Sequence, residues 1–327
     1  MNINSFKSNS RLLRYTKGFI IFLICILIGG FLYEYTGNNL DMKKYQPPGQ
    51  VVTVNGHVMH VFGGGSGDQT IVFASGNDVS CPYVNFYPLY NELSKYAKIA
   101  VYDRTGTGWS ESTKAPRDID TIVDEIHSAL EKSGQKPPYI FVAHSLGSLE
   151  AIRFTQKYKN EIRGLVFIDA GNPEYYKDID VLYPDDLSRK LLKYLGIQRL
   201  LFQTTNLYLK SSDTENGMKL IPKELQSLDM AVILKNKGND DEFTALKNIN
   251  SNAKKVLENG KLGDIPIRIF TAESTNNLYP KWSKSQIEFK NWSSDSKQIV
   301  VSGSKHYVHL YSPDIINKSV IDLINQK

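Results

Sequence analysis

The chain is predicted to be an α/β protein whose mostly parallel sheet is covered by helices on both faces, with an apolar helix ahead of it. Three observations predict this. Short apolar runs without polar alternation, each followed by a helical periodicity, are the pattern of strands buried on both faces. Gly18 to Tyr33 (GFIIFLICILIGGFLY) carries no charge and follows a basic segment. Between two of the expected strands, Asn172 to Leu262 shows helical patterns and no clear strand. With 41% hydrophobic and 22% charged residues over 327 positions, the composition is ordinary for a globular protein and excludes a mainly disordered or collagen-like chain. Two cysteines exclude a disulfide-rich scaffold and a multi-cysteine zinc fold.

The first element is the apolar run. At about 16 residues it is slightly short of the ~20 that span a bilayer, and Tyr35 and Thr36 can extend it. Its exit, Phe31-Leu32-Tyr33-Glu34-Tyr35, offers no small-residue cleavage site and suits an aromatic interfacial belt. An uncleaved signal-anchor over residues 18–36 is therefore expected, the alternative being secretion after cleavage. Lys7, Arg11, Arg14 and Lys17 supply four of the five net positive charges. They mark residues 1–17 as a cytoplasmic segment and place the bulk of the chain outside. The remaining charge is nearly balanced, so no basic face for nucleic acid is implied.

Residues 37–49, ending in Pro47-Pro48-Gly49, read as a linker. Val51–Val54 and His57–Phe62 flank Asn55-Gly56 and predict a hairpin that gives the sheet an antiparallel edge. Gly63 to Gly67 is expected to be a loop. Strands follow at Ile71–Ala74, Ile99–Tyr102, Tyr139–Ala143, Leu165–Ile168, Ile267–Phe270 and Gln298–Val301. Helices are expected around Phe86–Leu93, from Asp118 to Gly134, over Leu146–Tyr158, and from Ser312-Pro313 onward, the last burying Ile315, Ile316, Val320 and Leu323. The core thus comprises residues 50–171 and 263–327. Residues 172–262, with helical patterns near Pro184–Leu195, Pro222–Leu234 and Asp241–Leu257, form a helical lid over the carboxyl edge of the sheet.

The sharpest chemical signal is Ala143-His144-Ser145-Leu146-Gly147, placed between a strand and a helix. It resembles the nucleophile elbow G-x-S-x-G, with Ala143 at the first glycine position. Small residues are needed there because the turn is strained and its neighbours crowd each other. Tyr102-Asp103-Arg104-Thr105-Gly106-Thr107-Gly108-Trp109-Ser110 is similar to the D-R-x-G-x-G-x-S turn after the fourth strand of the α/β-hydrolase superfamily. Ser302-Gly303-Ser304-Lys305-His306-Tyr307 is similar to the segment that carries the family's catalytic histidine. The resemblance runs from about Gln46 to the end and is weakest in the lid. It implies an eight-stranded sheet and a serine nucleophile at Ser145.

The hydroxyl of Ser145 needs a base. Of the six histidines, His57, His60 and His127 are most simply structural, and His144 points away from its neighbour Ser145. His306 stands where the family places its base, with His309 a packing residue. The usual acid position falls near Thr275, which cannot serve. Asp169, directly after the strand Leu165–Ile168, keeps the superfamily order Ser145…Asp169…His306 and is preferred to Glu273, the nearest other carboxylate. The resemblance places the oxyanion hole on the backbone N–H groups of Leu146 and Asn77. The loop Ser75-Gly76-Asn77-Asp78 stands where the family often has His-Gly-x.

The sequence is therefore read as a membrane-anchored, extracytoplasmic serine hydrolase of carboxylic esters or lipid-like acyl compounds. It uses no metal and no cofactor, and its partners are a small acyl substrate and the lipid bilayer. Leu191, Leu192, Leu195, Leu200, Leu201 and Phe202 are expected to shape an apolar pocket. A haloalkane dehalogenase is disfavoured because its nucleophile would be Asp. An aminopeptidase, an acyltransferase and a carbon–carbon hydrolase share the same triad. From another class, a non-catalytic binding or receptor protein on this fold is the alternative.

Overall fold

The structure, a computed structural model, describes residues 3–77, 79–181, 186–208 and 217–326. Eight strands form one sheet: β1 (Gln50–Val54), β2 (His57–Gly65), β3 (Thr70–Ala74), β4 (Lys98–Tyr102), β5 (Tyr139–His144), β6 (Ile162–Ile168), β7 (Ile267–Ala272) and β8 (Ser296–Val301). Their spatial order is β1-β2-β4-β3-β5-β6-β7-β8. The β1–β2 and β2–β4 pairs are antiparallel, and every other pair is parallel. Asn55, at positive φ, and Gly56 make the hairpin turn as expected. The expected glycine loop is instead strand as far as Gly65: Gly63, Gly64 and Gly65 pair with Ala100, Ile99 and Lys98. Ladder pairing needs only backbone, so a run without side chains does not have to end a strand.

The central strands β3 and β5 are buried along their whole length. Apolar clusters cover both faces. One holds Phe141, Phe154, Phe167 and Phe289, and the other Phe73, Phe86, Ile140 and Val166. Each such side chain contributes about 1.5–3 kcal/mol by leaving water. The covering helices include α2 (Pro82–Asn85), α3 (Tyr87–Leu93), α4 (Ile119–Lys132), α5 (Gly147–Lys157) and, at the end of the chain, α14 (Pro313–Asn325). Asp118 caps α4 by accepting from the Thr121 N–H. In α14, Ile316, Val320 and Leu323 are buried, whereas Ile315 is exposed.

Between β6 and β7 the described residues hold only helices. These are α6 (Pro173–Tyr176), α7 (Asp186–Tyr194), α8 (Ile197–Thr204), a short 3-10 turn at Gly217–Leu220, α9 (Lys223–Asn236), α10 (Asp240–Lys247) and α11 (Ile249–Glu258). Two further helices, α12 (Glu273–Leu278) and α13 (Pro280–Phe289), follow β7. The predicted helix near Pro184 begins outside the described residues and is described from Asp186. The single helix expected over Asp241–Leu257 is broken at Asn248, which ends α10 and opens α11.

Ahead of the sheet runs one helix, α1 (Ile3–Lys44). Its stretch from Leu13 to Lys44 is long and apolar enough to cross a membrane, with mean hydropathy 2.1 in its most apolar part. The helix continues through most of the stretch read as a linker. Asn38 and Asp41 are polar there because they meet Arg199 of α8, not because the chain is a loop, and Glu34, one turn earlier, meets the same arginine. The leucines assigned to a substrate pocket are a second difference. Leu191, Leu192, Leu200 and Leu201 are exposed, and of that set Phe202 is buried, packed on Tyr208 and Leu234.

Candidate active site

The carboxyl ends of β3, β5, β6, β7 and β8 converge on one edge, where ligands bind in sheets of this kind. Three described non-glycine residues have positive φ: Asn55 in the hairpin, Ser145 at 51° and Asp169 at 39°. The last two follow β5 and β6 directly. Such backbone costs of order 1–3 kcal/mol and persists only where the surroundings impose it. Here the adjacent strands do so, since Ser145 N–H donates to Ile168 O at 3.1 Å and Asp169 N–H to Phe270 O at 2.7 Å.

Behind Ser145 the elbow leaves no room. A Cβ on Gly147 would stand 2.5 Å from Ala74 O and 2.7 Å from Ser75 O. A Cβ on Gly76 would stand 2.8 Å from His144 Nδ1 and 3.1 Å from Ser145 Cβ. The first elbow position is less demanding, and Ala143 fits there within β5. Among the described residues, the backbone N–H groups of Leu146 and Asn77 have no hydrogen-bond partner. Both residues line a cleft, with Met59, Val79, Leu149 and Ile249 forming apolar wall.

His306 Nδ1 lies 2.6 Å from Asp169 Oδ2. Asp169 is fully buried, whereas the His306 side chain is one-third exposed. The carboxylate is held from every side. Oδ1 accepts from Ala272 N–H at 3.0 Å, Gln286 Nε2 at 2.6 Å, Trp282 Nε1 at 3.4 Å and the Thr275 hydroxyl at 2.9 Å. Glu273 lies elsewhere, accepting from Gly303 N–H at 2.8 Å. Thr275, set aside because it cannot act as an acid, donates its hydroxyl to Asp169. Trp282 and Gln286 come from α13, and no spacing in the sequence ties them to Asp169.

His144 turns away from Ser145 as expected. Its ring lies 4.7 Å from that of His306 and 5.1 Å from that of His309. Burial, and then the two other imidazoles, hold it well below the ordinary histidine range, and as a neutral ring it reaches His306 O at 3.2 Å. His309, buried against Asn85 Oδ1 at 2.9 Å, is lowered to about 3 by burial and by His306. His60 pairs with Asp103 at 2.7 Å, but both are sealed in the core, and Gly108 packs on that carboxylate.

Two more residues shape the site. Arg104 donates to Ser75 O, Gly76 O at 3.0 Å and Ser75 Oγ at 3.2 Å, and pairs with Glu150 on α5. It thus ties the loop carrying Asn77 to α5, which begins just after Ser145. The sequence held this signal in its D-R-x-G turn. Tyr176 on α6 is buried, its hydroxyl facing Ser145 and Gly171 with no formed hydrogen bond. Burial raises the phenol's pKa, so it stays protonated.

A strained serine at a strand–helix elbow, a histidine seated on a buried carboxylate and two open N–H groups define a site of the α/β-hydrolase type. The alpha/beta hydrolase fold family matches residues 82–313, and the chain belongs to that family. The chain is 30% identical over 310 residues to the uncharacterized protein YbdG of Bacillus subtilis, covering 93% of this chain and 94% of that protein. Among solved structures, Cfl2 from Burkholderia cenocepacia shares 17% identity at a TM-score of 0.64, covering 84% of this chain and 95% of that one. The enol-lactonase from Burkholderia xenovorans shares 15% identity at 0.59, covering 85% and 100%. At these identities both show the fold alone.

Proposed function

We propose that the protein is a membrane-anchored serine hydrolase acting on carboxylic esters or lipid-like acyl compounds, with Ser145, His306 and Asp169 as its triad. One observation carries the reading: His306 rests on the buried carboxylate of Asp169 at the sheet edge where Ser145 is held in its elbow. Ser145 Oγ attacks the acyl carbon while His306 takes its proton. Asp169 holds the imidazole in the required tautomer and favours its charged form. The N–H groups of Leu146 and Asn77 receive the oxyanion. Collapse expels the alcohol with the proton returned by His306. Water activated by the same imidazole then releases the acid, and no metal or cofactor takes part. The apolar part of the cleft wall, from Met59, Val79, Leu149 and Ile249, supports an acyl group, with Arg104, Glu150 and Asp241 as charged neighbours. The apolar α1 supports anchoring, with the basic segment on the cytoplasmic side and the site outside. The helical insertion serves as the lid, since Asn236, Asn239 and Asp241 contribute to the cleft wall.

The test is hydrolysis of short- and medium-chain nitrophenyl esters, together with covalent labelling by a fluorophosphonate. Both are expected from the native chain and from neither Ser145→Ala nor His306→Ala. A folded native chain that is neither labelled nor active would overturn the proposal.

A further inference from the structure

We propose that the α7–α8 hairpin is a membrane-seating element whose outer face rests in the acyl–headgroup boundary beside α1. The proposal rests on the reading of α1 as a membrane anchor. Its first support is the direction of the side chains. Leu191, Leu192 and Tyr194 on α7 and Ile197, Leu200 and Leu201 on α8 are exposed, from 39% at Ile197 and Leu201 to 53% at Leu200. On α8 they recur at i, i+3 and i+4 and so share one face, while Arg199 and Phe202 turn inward. A water-facing helix would carry polar residues there.

The second support is where the hairpin is docked. Its turn, at Gly196, packs on α1 so closely that a Cβ would stand 2.8 Å from Tyr33 Cδ1 and 3.2 Å from Gly30 O. A Cβ on Gly30 would in turn stand 2.6 Å from Leu195 O. Small residues on both sides let the backbones meet. Arg199 fastens the contact, at 2.9 Å from Glu34 and 2.5 Å from Asp41, with Asn38 beside it. Tyr33 donates to Gln203 at 2.6 Å.

The contact fixes the depth. Gly30 lies about 20 Å along the helix from Lys17, at 1.5 Å per residue, against a hydrocarbon core of about 30 Å. It also lies about 9 Å short of Thr36, where the apolar segment ends. If α1 spans the bilayer, the hairpin turn therefore stands within its outer boundary. That matches the 5–10 Å to which interfacial amphipathic helices bury. Tyr33, Tyr35 and Tyr194, all exposed, supply aromatic side chains at that level. The occupant of the face is then lipid, continuous with the lipid around α1.

The experiment uses the full-length chain in phosphatidylcholine–phosphatidylglycerol vesicles with an environment-sensitive fluorophore on single cysteines. Cys25 is exposed on α1 and Cys81 is buried. A probe on native Cys25 reports the anchor. Probes on Leu200→Cys and, separately, Leu192→Cys report the hairpin, and Lys254→Cys, at an exposed position of α11, is the aqueous control, each in a Cys25→Ser background. Doxyl-labelled lipid is expected to lower emission at Cys25, Leu200→Cys and Leu192→Cys by about twofold or more and to leave Lys254→Cys unchanged. Quenching at Cys25 without quenching at either hairpin position overturns the proposal and leaves the anchor standing. No quenching at Cys25 removes the anchor and the proposal with it. Hairpin probes that are shielded from water but unquenched identify a protein partner, a second copy included, and also overturn it.

Discussion

Asp169→Asn separates the proposed triad acid from an ordinary buried carboxylate. The substitution keeps shape and removes one acceptor, and the surroundings decide which. Oδ1 receives donors from Ala272 N–H, Gln286, Trp282 and Thr275, whereas Oδ2 receives His306 and the same Thr275 hydroxyl. An amide nitrogen at the Oδ1 position would confront four donors. The asparagine must therefore turn its NH2 toward His306 Nδ1. That nitrogen then becomes an acceptor, the ring proton moves to Nε2, and the imidazole can no longer take the proton of Ser145. An acid-to-amide change with this consequence lowers kcat by about 10⁴, or about 5.5 kcal/mol of barrier. Glu273→Gln removes the charge from a group whose one contact, with Gly303 N–H, the amide oxygen can still accept, and is expected to change turnover by less than about tenfold. The assay is nitrophenyl-ester turnover together with the rate constant for fluorophosphonate labelling, which needs no knowledge of the natural substrate. If Asp169→Asn keeps a tenth or more of the native labelling rate while Glu273→Gln abolishes it, the reasoning is wrong.

Two further predictions follow from the same geometry. Arg104→Lys keeps a positive charge beside Glu150 but cannot reach Ser75 O and Gly76 O at once, so the loop carrying Asn77 loosens. We expect a folded protein with kcat down by up to about 10² and KM little changed; a changed KM with native kcat would instead place Arg104 in substrate binding. His309 is ordinarily half-protonated at pH 6.5 and is held near 3 in the fold. Its folded pKa lies below its unfolded one, so its support for the fold is full above about pH 6.5. That support is lost as pH falls toward about 3, by about 1.4 kcal/mol per unit. His309→Gln should make urea stability less steep in that window, and an unchanged slope would refute the assignment.

The parts of the site that were legible in the sequence are those where chemistry constrains residue type at fixed spacing. Gly147 has backbone oxygens 2.5 Å from where its Cβ would be, so the elbow is written in small residues whatever the substrate. The strands β3 to β6 were legible because burial on both faces makes their middles apolar, with polar residues such as Thr70 and His144 at the ends. The network around Asp169 was not. It is assembled across the end of β6, α12 and α13, by Thr275, Trp282 and Gln286, which lie 106, 113 and 117 residues from Asp169, so no spacing ties them to it. The threonine at the usual acid position read as a defect and is a donor to the Asp169 carboxylate instead. Gly63 to Gly65 misled for the opposite reason, since glycine runs usually mark turns and here the neighbouring strand supplies the ladder.

The leucines of α7 and α8 show a deeper limit. Amphipathic periodicity says that a face must leave water and does not say what covers it. A leucine stripe over a substrate pocket, against a protein core or against lipid has the same spacing. Position decides among them. Phe202 faces inward onto Tyr208 and Leu234, while Leu200 and Leu201, its chain neighbours, face out on the side of the hairpin that α1 leaves open. The stretch from Glu34 to Asp41 is ambiguous in the same way. From residue 37 it reads as a linker, yet Asn38 and Asp41 gather with Glu34 on one arginine because α1 continues upward and α8 meets it. A fragment beginning near Asn38 would keep Asp41 and lose Glu34 together with the Gly30–Gly196 contact. It would thus expose the inner surface of the hairpin as well as the outer one. Removing α1 to obtain a soluble enzyme would therefore also disturb the insertion whose later helices form the wall of the cleft. A loss of activity in such a fragment would report on the seating of α8 as much as on Ser145.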